Sequence, residues 1–145
     1  NLDIFSSTKI TSAINKYIFK LKISKLLLPY YGDLHHDHSK ISYAGLVASR
    51  PFSKINQVFF YETLSETEWG YSHNFTPNLF VSFDKKILEK KITSFKIYKS
   101  QNKNKNHPRS VDGIRALAKF RGLSVCRDFA EAFKIFRYID WFKKY

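Results

Sequence analysis

Apolar residues follow two different periods along this chain, and segments of the two kinds alternate. Apolar positions three and four residues apart predict helices over residues 7–22, 38–49, 85–101 and 110–122. Short apolar runs predict strands over residues 23–31, 55–63 and 78–84. The period of residues 129–139 fits a strand or a helix equally well. Helices that alternate with apolar strands are typical of an α/β domain with a largely parallel sheet.

Several predicted helices begin or stop at residue types that are common at helix termini. A Ser or Thr within residues 6–8 suits the N-cap of the first helix, and Asp84 and Ser110 suit the N-caps of the last two. Gly122 can take the left-handed conformation that often follows the last turn of a helix. These residues therefore indicate where three of the four helices begin and where the last one stops.

The composition bounds the size and the partners of the protein. Its 145 residues suffice for one domain with a sizeable core. A formal net charge of +13 would suit binding to nucleic acid or acidic glycans. The basic residues are spread along the chain, however, and the densest polar run, residues 99–109 (KSQNKNKNHPR), has no aromatic residue to stack on a base. We expect solvated surfaces and no nucleic-acid binding, and keep a non-catalytic basic binding module as the alternative.

Two further features concern the environment of the protein. No run approaches the roughly 18 consecutive apolar residues of a membrane span. The single Cys126 cannot form an internal disulfide, which favours a reducing compartment. The expected localisation is therefore the cytoplasm, whereas the oligomeric state is not indicated.

Histidines and aspartates are concentrated in one place, between the second predicted element and the third. Three of the five histidines and two aspartates lie within six positions, Asp33 to His38. Such a group after a strand is typical of a metal or acid–base site, and ligands of open α/β sheets bind at the carboxyl ends of strands. If the helix begins near Asp37, then His35 and His38 can point to the same side of its first turn. One imidazole could then bind metal and the other act as an acid, while Asp37 holds an imidazole by its other nitrogen.

The segment GDLHHDHSKISYAGLVASRP (32–51) resembles the second motif of the LmbE-like (PIG-L) zinc-dependent N-deacetylases. That motif commonly reads G-D-L/N-H-P-D-H-R, followed by an alanine-rich helix and R-P. Further segments resemble the family in the same order, namely residues 60–69 (FYETLSETEW), 75–101, 107–122 and 129–133. The resemblance extends from about residue 1 to residue 139.

Two positions of the motif depart from the family pattern. His36 stands where proline is common, and Ser39 replaces the usual arginine. His36 could compete as a metal ligand, although we expect its side chain to point away from His38.

The resemblance implies a Rossmann-like, mostly parallel fold, a Zn²⁺ cofactor, and removal of the N-acetyl group from an N-acetylglucosaminyl or related amino-sugar substrate. By match, His38 is the zinc ligand, His35 stabilises the oxyanion and protonates the leaving amine, and Asp37 is the partner of His35. The chemistry suits these roles, because neutral imidazole binds zinc, zinc lowers the pKa of water towards 7, and an imidazolium beside a carboxylate can donate to an oxyanion.

Substrate contacts are predicted on weaker grounds. The candidates for the pocket rim are Arg50, Tyr61 and Glu62. Arg50 suits a structural role equally well. The stretch 64–75, with Trp69, Tyr71 and His73, is the candidate pocket wall, where aromatic rings could stack on a sugar or simply cover a sheet edge. The identity of the acylated sugar is not indicated, because such choices lie in loops.

The first motif of the family, A-H-P-D-D-E, has no counterpart in this chain. In the family it supplies another His, an Asp ligand and the Asp that serves as general base. The chain also has no Met and begins NLDIF, so we expect residues 1–145 to be the C-terminal portion of one LmbE-like domain. Because a catalytic zinc normally has three protein ligands, we expect this chain alone to be inactive and to bind zinc weakly.

Overall fold

The computed structural model describes residues 2–70 and 74–140. The elements are α1 (Ser7–Leu21), β1 (Lys25–Pro29), α2 (His36–Ala48), β2 (Gln57–Tyr61), β3 (Leu79–Phe83), α3 (Lys85–Ile97), α4 (Val111–Leu123) and β4 (Phe129–Tyr138). Each predicted helix and strand is present, and the ambiguous stretch 129–139 forms a strand. In this described part of the chain, no helix is both long enough and apolar enough to cross a membrane.

The four strands are ordered β1-β2-β4-β3 in the sheet. Strands β1 and β2 run parallel, with Pro29 opposite Tyr61 at their carboxyl ends. Strands β3 and β4 run antiparallel, with Leu79 opposite Phe133. Two helices lie between β3 and β4, so the chain returns twice and enters β4 in the opposite direction. The predicted α/β class is confirmed, and the sheet is mixed.

The chain divides into two compact units, Asn1–Thr76 with Lys134–Tyr145, and Pro77–Phe133. The core of the first unit is formed by Ile18, Leu28, Tyr30, Ala48, Ile55, Val58 and Phe60. Helix α2 approaches β1 closely, since a Cβ added to Gly45 would lie 2.4 Å from a Leu28 methyl carbon. This confirms the predicted close packing of the helix on the sheet. The assignment of residues 1–145 to a single domain stays a prediction.

The second unit shows where helix-end prediction succeeds and where it fails. Asp84 and Ser110 are the N-caps of α3 and α4, because their side chains accept backbone N–H bonds at the helix starts. The prediction that Gly122 ends a helix in the left-handed conformation is wrong. Gly122 lies inside α4, and the positive φ angle (55°) belongs to Cys126. Glycine is needed at position 122 for space, since a Cβ there would lie 2.7 Å from the Arg127 carbonyl oxygen.

Candidate functional site

The histidine-rich motif lies at the carboxyl end of β1, where the sequence predicted it. The Tyr30 N–H donates to the Tyr61 carbonyl at 2.9 Å, which continues the pairing of β1 with β2 past the end of the strand. The Asp33 N–H then donates to the Tyr30 carbonyl at 3.1 Å and closes a turn, and α2 begins at His36. The motif is therefore held between two parallel strand ends and the first turn of a helix.

The side chain of Asp33 is fully buried beneath this motif, and both of its oxygens are bonded. One carboxylate oxygen lies 2.8 Å from His38 Nδ1, and the other accepts a hydrogen bond from Thr67 Oγ1 at 2.6 Å. Thr67 Oγ1 in turn accepts from the Thr63 N–H at 2.7 Å. We call these four groups the Asp33 network. Its bonds offset the loss of hydration that burial imposes on the carboxylate.

The direction of these bonds fixes the tautomer of His38. The Thr67 hydroxyl accepts from an N–H, so its single proton points to Asp33. An ionised Asp33 is acceptor-only, and His38 Nδ1 must therefore carry the proton of that ring. In the neutral ring, Nε2 of His38 then has a lone pair, on a side chain that is 28% exposed. A histidine held through its other nitrogen by a carboxylate is the usual arrangement of a metal-ligating imidazole.

His35 lies beside His38, but its ring nitrogens have the opposite hydrogen-bonding roles. It is the N-cap of α2, and its Nδ1 accepts the Asp37 N–H at 3.2 Å. In the neutral ring the proton therefore lies on Nε2. The two rings are nearly parallel, with centroids 5.2 Å apart and planes inclined by 25°. The pair thus combines one imidazole that offers a lone pair with one that offers an N–H.

Asp37 and His36 are placed differently from this pair. Asp37 accepts the Leu2 N–H at 2.9 Å. That bond, aided by the positive charge of Lys40, lowers the pKa of the Asp37 carboxyl below its usual value. The role of Asp37 as partner of His35 stays a prediction. His36 is largely exposed and lies 3.5 Å from a carboxylate oxygen of Asp3.

Two predicted rim residues, Tyr61 and Glu62, and the predicted wall residue Trp69 follow the carboxyl end of β2, beside the motif. Tyr61 ends β2 and is 37% exposed, and burial together with the negative charge of Asp33 raises the pKa of its phenol. The loop after β2, which contains Glu62 and Trp69, packs against the motif. A Cβ added to Gly70, at the end of that loop, would lie 2.3 Å from a backbone oxygen of the motif turn. Trp69 is 49% exposed, so part of its ring faces solvent.

Arg50 is not brought to this end of the sheet. Helix α2 has 13 residues and is therefore about 20 Å long, with the motif at its start and Arg50 just past its end. Arg50 is exposed there. Another arginine, Arg137, binds this far end of α2 through the carbonyl groups of Ser49 and Ile55. The predicted Tyr71 and His73 lie outside the described residues.

A complete metal site is not formed by the part of the chain that the structure describes. Residues 2–70 and 74–140 contain no group of three His, Cys, Asp or Glu side chains that could hold a metal ion. His38 fits the role of one ligand because its Nδ1 is held by Asp33, which leaves the lone pair of the neutral ring on Nε2. The remaining ligands of a three-ligand zinc site would come from other residues.

Reasoning from the sequence missed two residues of the site, Asp33 and Thr67. Asp33 was visible as a carboxylate directly after a strand and five positions before His38. Thr67 gave no signal of its own, because its contact with Asp33 joins residues 34 positions apart. The resemblance implied Asp37 as the partner of His35, and no carboxylate was assigned to His38. In the structure the carboxylate bonded to His38 is that of Asp33, from the preceding turn.

Comparison with family models and with curated proteins gives no match. Solved structures do match. The conserved protein TT1542 from Thermus thermophilus aligns over 94% of this chain and 63% of its own, with 19% identity and a TM-score of 0.69. The N,N'-diacetylchitobiose deacetylase of Pyrococcus horikoshii aligns over 94% and 54%, with 15% identity and a TM-score of 0.66. The zinc-inhibited form of teicoplanin deacetylase Orf2 aligns over 93% and 53%, with 17% identity and a TM-score of 0.68.

These likenesses concern the fold. The α/β, Rossmann-like fold class is confirmed, and the resemblance to LmbE-like deacetylases is confirmed at the level of the fold. The chain spans between 53% and 63% of the length of these three structures.

Proposed function

We propose that the complete protein is a zinc-dependent hydrolase that removes the N-acetyl group from an N-acetylglucosaminyl or related amino-sugar substrate. Residues 32–38 would supply one part of its active site. One observation carries the proposal. Hydrogen bonds give two adjacent imidazoles opposite polarity, a lone pair on His38 Nε2 and an N–H on His35 Nε2. The shared fold with deacetylases that act on chitobiose and teicoplanin supports the same reaction class.

Zinc suits the donor that this chain offers, since neutral imidazole is among its preferred ligands. His38 would hold the ion through Nε2, with ligands from other residues completing the site. When bound, zinc would lower the pKa of the water that hydrolyses the amide. Asp33 and Thr67 would keep the His38 ring in the orientation and tautomer that binding requires.

His35 would act on the other side of the amide. Hydrolysis adds water to the acetyl carbon, breaks the carbon–nitrogen bond, and releases acetate and the free amine. The Nε2–H of His35 would donate to the amide oxygen as it gains negative charge, and an acid at the same position would protonate the departing nitrogen. Tyr61, Glu62 and Trp69 would line the sugar side of the pocket, with the half-exposed Trp69 ring stacking on the sugar.

The test of the catalytic assignment uses the complete protein and an N-acetylglucosaminyl substrate. His38→Ala should lower kcat/KM by about a hundredfold or more, because it removes a metal ligand. His36→Ala is the matched control, since His36 is exposed and outside the Asp33 network. Equal activity of the His38→Ala variant and the unchanged protein would contradict the proposal. The coding sequence upstream of Asn1 gives a second test, because an H-P-D-D motif supports the proposal and a starting Met with a preceding stop codon opposes it.

The substrate wall is tested separately. Trp69→Ala in the complete enzyme should raise KM for the sugar by about fivefold while changing the melting temperature little, because a stacked ring contributes roughly 1 kcal/mol. A large loss of stability with an unchanged KM would instead favour a role in covering the sheet edge.

The chain of 145 residues is expected to be catalytically silent and to bind zinc weakly. Calorimetric titration with zinc should give a dissociation constant well above about a micromolar, since one imidazole does not complete a three-ligand site. Stoichiometric sub-micromolar binding that disappears in His38→Ala would show that the described residues suffice.

The absence of nucleic-acid binding stays a prediction. Little affinity for unrelated DNA at about 0.05 M salt would support it, because binding driven by basic residues is strongest at low salt. Tight binding that falls steeply with the logarithm of the salt concentration would favour the alternative of a basic binding module.

A further inference from the structure

Ser65, in the loop after β2, has a left-handed backbone conformation although it is not a glycine. Its φ angle is 69°, and in the described part of the chain two other non-glycine residues have a positive φ, Lys22 and Cys126. Those two residues are exposed, whereas Ser65 is fully buried. A side chain at such a φ angle costs free energy relative to glycine, so the surrounding contacts must hold Ser65 in this conformation.

Residues 63–68, which we call the Ser65 turn, are joined by hydrogen bonds on both sides of Ser65. The Ser65 N–H donates to the Glu68 carboxylate at 2.6 Å, and the Ser65 hydroxyl donates to that of Glu66 at 3.3 Å. The carbonyl of Thr63 also accepts the Glu66 N–H at 3.0 Å. Glu68 is exposed, and its carboxylate therefore ties the buried Ser65 to the surface of the loop.

The Ser65 turn contacts the motif through the two residues that follow Ser65. The Glu66 carbonyl accepts the Leu34 N–H at 2.9 Å, and the Thr67 hydroxyl donates to Asp33 at 2.6 Å. Two consecutive residues of the motif turn are thus held by two consecutive residues of the loop. The φ angle of Ser65 sets the direction in which the next residues leave the turn, because rotation about that bond moves every atom after it. Extended backbone at Ser65 would direct both groups away from the motif.

We propose that Ser65 is a positioning residue for the proposed reaction. Its left-handed conformation aims the Thr67 hydroxyl at Asp33, and Asp33 in turn fixes the orientation of the His38 ring. Ser65 is buried and acts through these hydrogen bonds. The inference rests on the proposed function for the reaction that His38 serves. Strained backbone conformations cluster at active sites, where rigid placement of functional groups offsets their cost.

The competing explanation is that Ser65 only lets the chain reverse direction, as a glycine would. The two explanations differ in what Ser65→Gly does. Glycine adopts the left-handed conformation without strain, but it also adopts many others and lacks the hydroxyl that bonds Glu66. A purely structural position keeps both stability and activity when the strain is removed, whereas a positioning residue keeps stability and loses activity.

Lys22 provides a matched control, because it has a similar φ angle of 52° in the same unit. It is the exposed C-cap of α1 and precedes the amino end of β1, whereas the motif follows the carboxyl end. Lys22→Gly therefore removes the same kind of strain away from the motif. We expect it to keep or raise the melting temperature and to leave kcat unchanged.

The experiment measures the melting temperature, kcat and KM of the complete protein with an N-acetylglucosaminyl substrate. Ser65→Gly should keep or raise the melting temperature, lower kcat about tenfold and change KM less than about twofold, because the pocket wall is retained while the His38 ring is held less firmly. Glu68→Ala, at an exposed position, should lower kcat about fivefold. Glu68→Gln should restore most of that loss, because its amide oxygen can still accept the Ser65 N–H.

A readout that needs no catalysis is the exchange of the Leu34 amide hydrogen, measured by NMR on the metal-free protein. That hydrogen bonds the Glu66 carbonyl, so its exchange should be about tenfold faster in Ser65→Gly and Glu68→Ala. Lys22→Gly should leave the exchange rate unchanged. The measurement reports the grip of the Ser65 turn on the motif whether or not the protein turns over a substrate.

The outcomes separate this inference from the proposed function. Unchanged kcat or unchanged Leu34 exchange in Ser65→Gly, or equal losses of kcat in Ser65→Gly and Lys22→Gly, would overturn the positioning role, while deacetylation by the unchanged protein keeps the function. If the unchanged protein does not deacetylate the sugar but Leu34 exchange still depends on Ser65 and Glu68, the proposed function fails and the positioning of the motif turn stands.

Discussion

The two units of the chain each join an acid to a base, and they do so under opposite conditions. In the first unit the Asp33 carboxylate is fully buried and bonded to His38 and Thr67. In the second, Glu89 forms a bidentate pair with Arg115 at 2.6 and 2.9 Å, and both side chains are more than 40% exposed. An exposed pair contributes little to stability, whereas each buried polar group must keep its partner. Burial therefore distinguishes the Asp33 network, which suits a catalytic site, from the Glu89–Arg115 pair, which is an ordinary surface ion pair.

A groove in the second unit shows that a cavity does not by itself indicate chemistry. The second unit has a groove of about 490 Å³, lined mainly by β3, α3 and β4 and including Val81, Ile87 and Phe133. None of its lining residues belongs to the histidine-rich motif. Two of its charged side chains, Lys91 and Glu131, form an exposed pair with each other at 2.6 Å. Candidate chemistry follows the hydrogen bonds of the Asp33 network rather than the volume of the groove.

The largest loss of stability is expected for a substitution of Asp33, at the centre of the buried network. Asp33→Ala leaves the His38 Nδ1–H and the Thr67 hydroxyl without their acceptor, which should lower the free energy of unfolding by about 3 kcal/mol. In the complete protein it should also weaken zinc binding about 10- to 100-fold. Urea denaturation measures the first quantity and metal competition the second. Glu89→Ala should have a much smaller effect on unfolding, and equal losses in the two variants would remove the contrast between the units.

A smaller loss of stability is expected for a substitution of Thr67, which is hydrogen-bonded to Asp33. Thr67→Val keeps the shape of the side chain but leaves one Asp33 oxygen unpaired, so it should lower the free energy of unfolding by about 1 to 2 kcal/mol. Thr63→Val is the matched control on the same loop. In the described structure the Thr63 hydroxyl is buried without a hydrogen-bond partner, and its N–H, which serves the network, is retained. Thr63→Val should therefore leave stability unchanged or raise it, and a loss as large as that of Thr67→Val would contradict this account.

The smallest effect is a change in titration in the second unit. The hydrogen bond from Arg115 lowers the pKa of Glu89, so the pair stabilises the fold above the unfolded-state pKa of Glu and loses that contribution as the pH falls through the lowered value. Arg115→Gln should return the pKa of Glu89 towards its usual range. The lowered pKa of Asp37, caused mainly by the Leu2 N–H, should not move. Carboxyl NMR titration measures both groups, and a parallel shift of Asp37 would show that the units are electrostatically linked.

The sequence predicted local features of the fold well because they depend on neighbouring residues. The N-caps Asp84 and Ser110 lie three positions before the N–H groups that they accept. The position of the motif between β1 and α2 could be predicted from the sequence, because an apolar run gives way there to apolar residues at helical spacing. The antiparallel entry of β4 was not readable, because it depends on how two intervening helices return the chain. Gly122 was misread for a similar reason, since the backbone that crowds it belongs to a later turn.

The same distinction, between features set by neighbouring residues and features set by distant ones, applies to the candidate site. His35 and His38 are three positions apart, so their proximity on one helical turn follows from their spacing alone. The contact of His38 with the Asp33 carboxylate cannot be predicted from spacing, because it depends on burial of the turn beneath a loop that contains Thr67. The hydrogen bond from Lys134 to the Tyr31 hydroxyl is equally hard to predict, because the two residues are 103 positions apart. No pattern within either segment connects the two.

The use of His35 as the N-cap of α2 has a consequence for mutational studies of this motif. Its Nδ1 starts the helix, while its Nε2 is the atom proposed to act on the substrate. A library at position 35 selected only for folding should be enriched in Asn, Asp and Ser, the residue types that cap helices best. A library selected for activity should retain His. Inactivity at this position therefore identifies a catalytic defect only in variants whose helix still begins at the same residue.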